Sequence, residues 1–199
     1  MMTAIEVARG LVGIREDQGP NRSKDIDRIV RYCHGSLPQK PHVSGLPWCA
    51  YTVCYCFGQA GAAGFPLTGS SQALKRFFAG KGLLFTDPQE LMNCRGAVGG
   101  WTNVGDPAYG HVFLVEKRFT VASIEVGGSI GKLPMLRKLP MLQKVLAVGT
   151  IEGNTNGQGS ANGDGCYRRK RKVPVDGGHE LWFGDVSGWI QGRWWPEGV

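Results

Sequence analysis

Four polar side chains of this sequence have the types that thiol chemistry requires. Cys49 stands near the start of PWCAYTVCYCFGQA, an apolar run over 47–60 that predicts a buried helix opening at Pro47. Proline suits a first turn, where its missing N–H has no partner to lose. A thiol in that turn faces the positive end of the helix dipole and free backbone N–H groups, and both favour the reactive thiolate. Such a nucleophile needs a base that takes the thiol proton and later returns it to the leaving amine. His111, opening the strand-like run GHVFLV, titrates in the range for that work. Glu152 and Asn154 end a second strand-like run, VLAVGTIEGN. A period of two sets them on one face, where one can accept a ring N–H of His111 and fix its tautomer. Separation along the chain is no obstacle, because such sets assemble in space.

The other candidates carry less. Of the six cysteines, Cys54 and Cys56 lie deeper in the same apolar run and read as small core residues. The chain has no CxxC pair, and Cys54–Tyr55–Cys56 has the wrong spacing for a zinc site, so neither a metal nor another cofactor is expected. His34 and His42 fall in loop and His179 in a glycine-rich turn. The plain alternative for His111 is a histidine that only caps a strand.

The elements that must position these groups follow from periodicity. Residues 3–15 and 24–33 repeat apolar residues at helical spacing, the first with Thr3 as N-cap and Glu6 three residues on, the second with Ile26, Ile29 and Val30 on one stripe. Residues 34–47 form a loop with three prolines, Gly61 and Gly64 stop the central helix, and 71–79 form a further short one. Beyond residue 95 the pattern turns to strands at 110–118, 119–126, 144–153 and 167–175, with one or two more in 181–195. Helices first and strands after predict an α+β domain with an antiparallel sheet. Residues 133–144 are a tandem repeat, LPMLRK–LPMLQK, whose period of six and two prolines exclude a helix. It reads as a duplicated surface loop, the alternative being a sticky hairpin against a membrane or partner.

With 199 residues, 42% hydrophobic and 20% charged, the chain suits one globular domain and not a disordered segment. No apolar run approaches the roughly 20 residues of a membrane span. The N-terminal MMTAIEVARG lacks the basic and apolar regions of a secretory signal, so synthesis in the cytoplasm and reduced cysteines are expected. The net charge is +7, and Arg168–Lys172 is a run of five cations, read first as a solvated edge strand.

In chain order, PWCAYTV, GHVFLV, TIEGNTN and GDGCYRRKR resemble the CHAP domain, the cysteine- and histidine-dependent amidohydrolase/peptidase family, which is similar to the NlpC and papain-like hydrolases. The resemblance covers about residues 3–172, and GIREDQGPNRS resembles the family's N-terminal helix and loop. It implies a papain-like α+β fold in a single domain over 1–199, with an insert at about 128–146 and no separate wall-binding domain. By position, Cys49 resembles the nucleophile, His111 the base, Glu152 the residue orienting it and Asn154 a fourth polar member, with Trp48 and Tyr109 as candidates for substrate contact. The chain departs from the pattern at Trp48, where many members carry Gln, and in 34–48, which lack the Asp of calcium-binding members. The implied activity is cleavage of an amide bond of peptidoglycan, as amidase or endopeptidase. The expected setting is a phage lysin released through a holin-type membrane hole to act on the cell wall. The alternatives are an injected antibacterial toxin with an immunity protein, and a non-catalytic wall-binding or virion structural protein that retains the fold. Within this reading the cation run can attract anionic wall polymers, and no specific nucleic-acid binding is expected. Trp189, Trp194 and Trp195 read as residues that pack the terminal segment on the core, ahead of lining a sugar groove.

Overall fold

A computed structural model describes residues 2–34, 45–123, 142–157, 163–173, 178–191 and 194. Its first helix, α1 (Ala4–Leu11), begins at a capping box: the Thr3 hydroxyl accepts from the backbone N–H of Glu6, and the Glu6 carboxylate accepts from that of Thr3 at 2.7 Å. It stops four residues short of the expected end, because Val12 is extended and Gly13 takes a positive φ of 100°. α2 (Lys24–His34) buries the stripe Ile26, Ile29, Val30 and Cys33. α3 (Cys49–Gln59) buries every residue from Cys49 to Phe57, as an apolar helix does at the centre of a core. α4 (Ser71–Gly80) is capped by the Ser70 hydroxyl, which accepts from the N–H of Ala73 at 3.2 Å.

Among the described residues six strands follow: β1 (Leu84–Phe85), β2 (Ala97–Asn103), β3 (Gly110–Ser123), β4 (Leu142–Thr155), β5 (Gly165–Lys172) and β6 (His179–Asp185). They form one antiparallel sheet in the order β1-β6-β2-β3-β4-β5, so the class is α+β, helices preceding the sheet. The expected strands 110–118 and 119–126 merge into the single long β3. The tail of the hexapeptide repeat is strand and not loop: Leu142, Gln143 and Lys144 pair with Ser123, Ala122 and Val121. The rest of the repeat, within 124–141, lies outside the described residues.

β2 escapes a period-two reading because of Gly99 and Gly100. A Cβ at Gly99 would collide with the ring of Phe113, and one at Gly100 with the ring of Trp182. Both glycines let aromatic side chains from the neighbouring strands lie across β2. Gly184 of β6 and Gly153 of β4 do the same for the helices, receiving Phe78 of α4 and Trp48 with Thr52 at the head of α3. That close seat of α3 on β4 is what brings the start of the helix to the middle of the sheet. Trp189 and Trp194 pack against Phe57, Phe65, Phe77 and Phe78, as core residues and not as a groove, while Trp195 lies outside the described residues. Among the described residues no helix is long and apolar enough to cross a membrane.

Candidate active site

α3 opens at Cys49, two residues later than Pro47 suggests. Its N-cap is Trp48, which offers no side-chain acceptor, so the first-turn N–H groups stay available beside the thiol. The Trp48 carbonyl instead anchors the turn, accepting from the N–H and the hydroxyl of Thr52, both at 2.9 Å. The Trp48 ring is fully buried, and its indole N–H donates to Glu16 at 3.2 Å. As a residue presenting its ring to substrate, Trp48 is therefore corrected: with no side chain at Gly153 the ring packs inward, onto β4. Tyr109, the other surface candidate, is 68% exposed in the loop just before β3.

His111 lies on β3 with its side chain fully buried, and its Nε2 donates to Glu152 Oε2 at 3.1 Å. An ionised carboxylate only accepts, so Nε2 carries the proton and Nδ1 is the basic atom. Nδ1 makes no hydrogen bond of standard geometry, and Cys49 and His111 each shift the other's ionisation. Burial opposes ionisation of the Cys49 thiol. Hydrogen bonding to His111, the imidazolium charge and the backbone N–H groups of Val112 and Ala50 outweigh it, and the pKa is lowered. Burial likewise disfavours the imidazolium, yet Cys49 and Glu152 together raise His111 to about 9. Both shifts favour a thiolate–imidazolium pair.

Cys33, Cys56, Cys94 and Cys166 move the opposite way. Hydrogen bonding with Cys54 and burial push Cys33 up, and burial pushes Cys56 well up and Cys94 and Cys166 to about 12. All six cysteines are free thiols.

Glu152 is completely enclosed and held by four bonds. Oε1 accepts from the Thr150 hydroxyl at 2.5 Å and from Arg171 Nε at 2.6 Å. Oε2 accepts from Arg171 Nη2 at 2.5 Å and from His111. Burial alone would raise its pKa, but His111 and Arg171 pull it down to about 2. Asn154 is also buried, yet it takes a left-handed φ of 57°, and the β4–β5 register slips between Glu152 and Thr155. This bulge interrupts the alternation that would carry Glu152 and Asn154 to the same face. Of the two, Glu152 is the acceptor for Nε2 of His111.

Arg171 and Thr150 were not legible in advance. β5 is an edge strand, as expected for the cation run, but the run is not simply solvated. Arg168 pairs with Glu116 at 3.0 Å beside Arg9, Arg169 donates to the Gly157 carbonyl, and Arg171 reaches Glu152. In register Arg171 stands opposite Val148, so its guanidinium extends along β4 past Thr150. Near the site, Trp101 is opposite His111 in the β2–β3 pairing, its ring 5.9 Å from the imidazole and 4.3 Å from that of His179. Among the described residues no three His, Cys, Asp or Glu side chains cluster so as to hold a metal ion. No family model, no curated protein and no solved structure matches the chain.

Proposed function

We propose that the chain is a papain-like, CHAP-type cysteine amidohydrolase/peptidase that cleaves an amide bond of bacterial peptidoglycan. One observation carries the catalytic half of this reading: a lowered-pKa thiol at a helix N-terminus beside a buried histidine whose far nitrogen is bound to an ionised glutamate. A structural histidine or a core cysteine has no need of that arrangement, which speaks against a non-catalytic wall-binding or virion protein. The substrate half rests on the ordered motifs around Cys49, His111, Glu152 and Asn154 and their resemblance to that family.

In this mechanism the Cys49 thiolate attacks the amide carbonyl carbon, and the carbonyl π pair moves to oxygen. First-turn N–H groups of α3, that of Cys49 among them, stabilise the oxyanion. Collapse breaks the C–N bond as the Nδ1 proton of His111 passes to the leaving amine, leaving a thioester on Cys49 and neutral His111. Nδ1 then takes a proton from water as the water oxygen attacks the thioester carbon, and collapse breaks the C–S bond, releasing the product acid and leaving the Cys49 thiolate beside protonated His111, which is the starting pair. Glu152 stabilises the imidazolium at each stage without accepting its proton.

The proposed setting is a phage lysin acting on the wall after release, with a toxin injected into rivals as the second. Arg168 and Arg171 are held in ion pairs, which leaves Lys170 and Lys172 of the run to attract anionic wall polymers. The test is digestion of purified cell walls followed by mass spectrometry of the soluble fragments. New amino and carboxyl termini at one type of amide bond, absent with Cys49→Ala, support the reading and identify the bond. Intact walls, or cleavage that persists without the thiol, refute it.

A further inference from the structure

The imidazole of His111 can face Cys49 productively only while Glu152 is held in place. Several groups surround this pair. Cys49 of α3 acts on the imidazole, with Trp101 of β2 and His179 of β6 stacked to one side. The carboxylate meets Thr150 of its own strand, with Cys166 and Arg171 of β5. Arg171 is the only cation besides His111 that bonds the carboxylate among the described residues. Its Nε and Nη2 meet the two carboxylate oxygens separately, at 2.6 and 2.5 Å, and its guanidinium also lies 5.6 Å from the ring centre of Phe113. A planar two-point fork fixes both the position and the rotation of a carboxylate, which a single ammonium does not. The arginine side chain is 17% exposed and the glutamate not at all, so the pair is shielded from screening by water.

We propose that Arg171 is a positioning residue of the thiol site, acting through Glu152 to lock the imidazole with Nδ1 toward Cys49. The inference rests on the thiol-hydrolase reading but is separable from it. Without the fork, the buried carboxylate loses its main counter-charge and its fixed orientation. It is then more readily protonated and freer to turn, and His111 loses both its charge partner and its alignment. Sequence position alone would hide this residue in a solvated cation run.

The experiment uses the full chain and two readouts. The first is the rate of Cys49 carbamidomethylation by iodoacetamide against pH, with Cys49→Ala as background. It needs no wall substrate; all six thiols are buried, Cys49 the least so at 6% exposed, and the Cys49→Ala background subtracts the reaction of the others. The second is kcat and KM on solubilised wall fragments. With Arg171→Gln, the acidic limb of the alkylation profile moves up and the limb that reports His111 moves down, narrowing the thiolate–imidazolium window; kcat falls at least tenfold and KM changes less than twofold. Arg171→Lys restores the limbs toward wild type because it keeps the charge, but leaves kcat low because one ammonium cannot make the fork. In a Glu152→Gln background, Arg171→Gln shifts the profile no further.

A lowered melting temperature with an unchanged alkylation profile overturns the proposal, as does a further shift in the Glu152→Gln background. If Arg171→Gln does not fold, Arg171→Lys decides: an unchanged kcat overturns the proposal and a lowered one supports it. If the wild type cleaves no wall material, the function reading falls while the alkylation profiles still judge Arg171.

Discussion

Replacing Glu152 by Gln keeps the size of the side chain and removes the one negative charge that His111 bonds. The carboxylate accepts four hydrogen bonds, from Thr150, from two nitrogens of Arg171 and from His111. An amide has one oxygen to accept with, and its NH2 group points a donor at donors wherever it turns. Arg171 keeps its charge but loses its partner, and breaking a buried pair from one side costs about 3–5 kcal/mol. For a chain of 199 residues that is a fall in Tm of about 6–20 °C. The fold should survive, since about 5–15 kcal/mol is the usual total. The catalytic cost is larger. His111 stands at about 9 because Cys49 and Glu152 overcome the burial that opposes its charge. Removing Glu152 leaves only Cys49 to oppose burial, so the imidazolium is weakened and His111 takes the Cys49 proton less readily. A loss of about 10³–10⁴ in rate is expected, the scale at which replacing the carboxylate partner of a catalytic histidine acts. The assays are wall-fragment release, thiol alkylation against pH, and thermal melting followed by circular dichroism. A folded Glu152→Gln protein with normal turnover and an unshifted alkylation profile would refute the role of Glu152 and with it the mechanism.

Four further outcomes follow from the same geometry. Cys49→Ala should abolish cleavage and leave the melting curve close to that of wild type. Cys54→Ala and Cys56→Ala, at fully buried sites, should each cost on the order of 1 kcal/mol while keeping activity per folded molecule; a dead but stable Cys56→Ala would move the nucleophile. Stability should fall on the acid side of neutrality. Glu152 has a folded-state pKa below its usual 4.5, so its contribution is present above that value and lost as pH falls through about 2. His111 has a raised pKa, so its own contribution is complete below 6.5 and lost as pH rises through about 9, while the lowered Cys49 thiol contributes in the opposite sense, more as pH rises toward its usual 9; the two offset, and a steep loss between pH 7 and 9 in chemical denaturation would contradict the pairing. Gly153→Ala places a methyl group against the Thr52 hydroxyl and the Trp48 ring, so it should lower stability and, by lifting the head of α3, slow alkylation of Cys49; wild-type values for both would show that the seat of α3 is loose.

Local chemistry made much of this protein readable before folding was considered. The Thr3–Glu6 box, the stripe of α2, the apolar run of α3 and the strand pattern around His111 and Glu152 each depend on neighbours within a turn or two residues. Cys49, His111 and Glu152 could therefore be named as candidates from residue type and element end. What sequence could not decide depends on partners far along the chain. Gly99 and Gly100 carry no strand signal of their own, and they lie in β2 because it pairs with β3 and β6, with Phe113 and Trp182 in the space a Cβ would take. Trp48 read as a surface aromatic, and is core because Gly153 admits it 105 positions later in the fold's own register of α3 on β4. The choice between Glu152 and Asn154 turns on a bulge, and alternation says nothing about where a bulge falls. Arg171 looked like one of five equivalent cations. Only the pairing of β5 with β4 brings its fork to the carboxylate, because ion pairing acts over a few ångströms of space and is blind to distance along the chain.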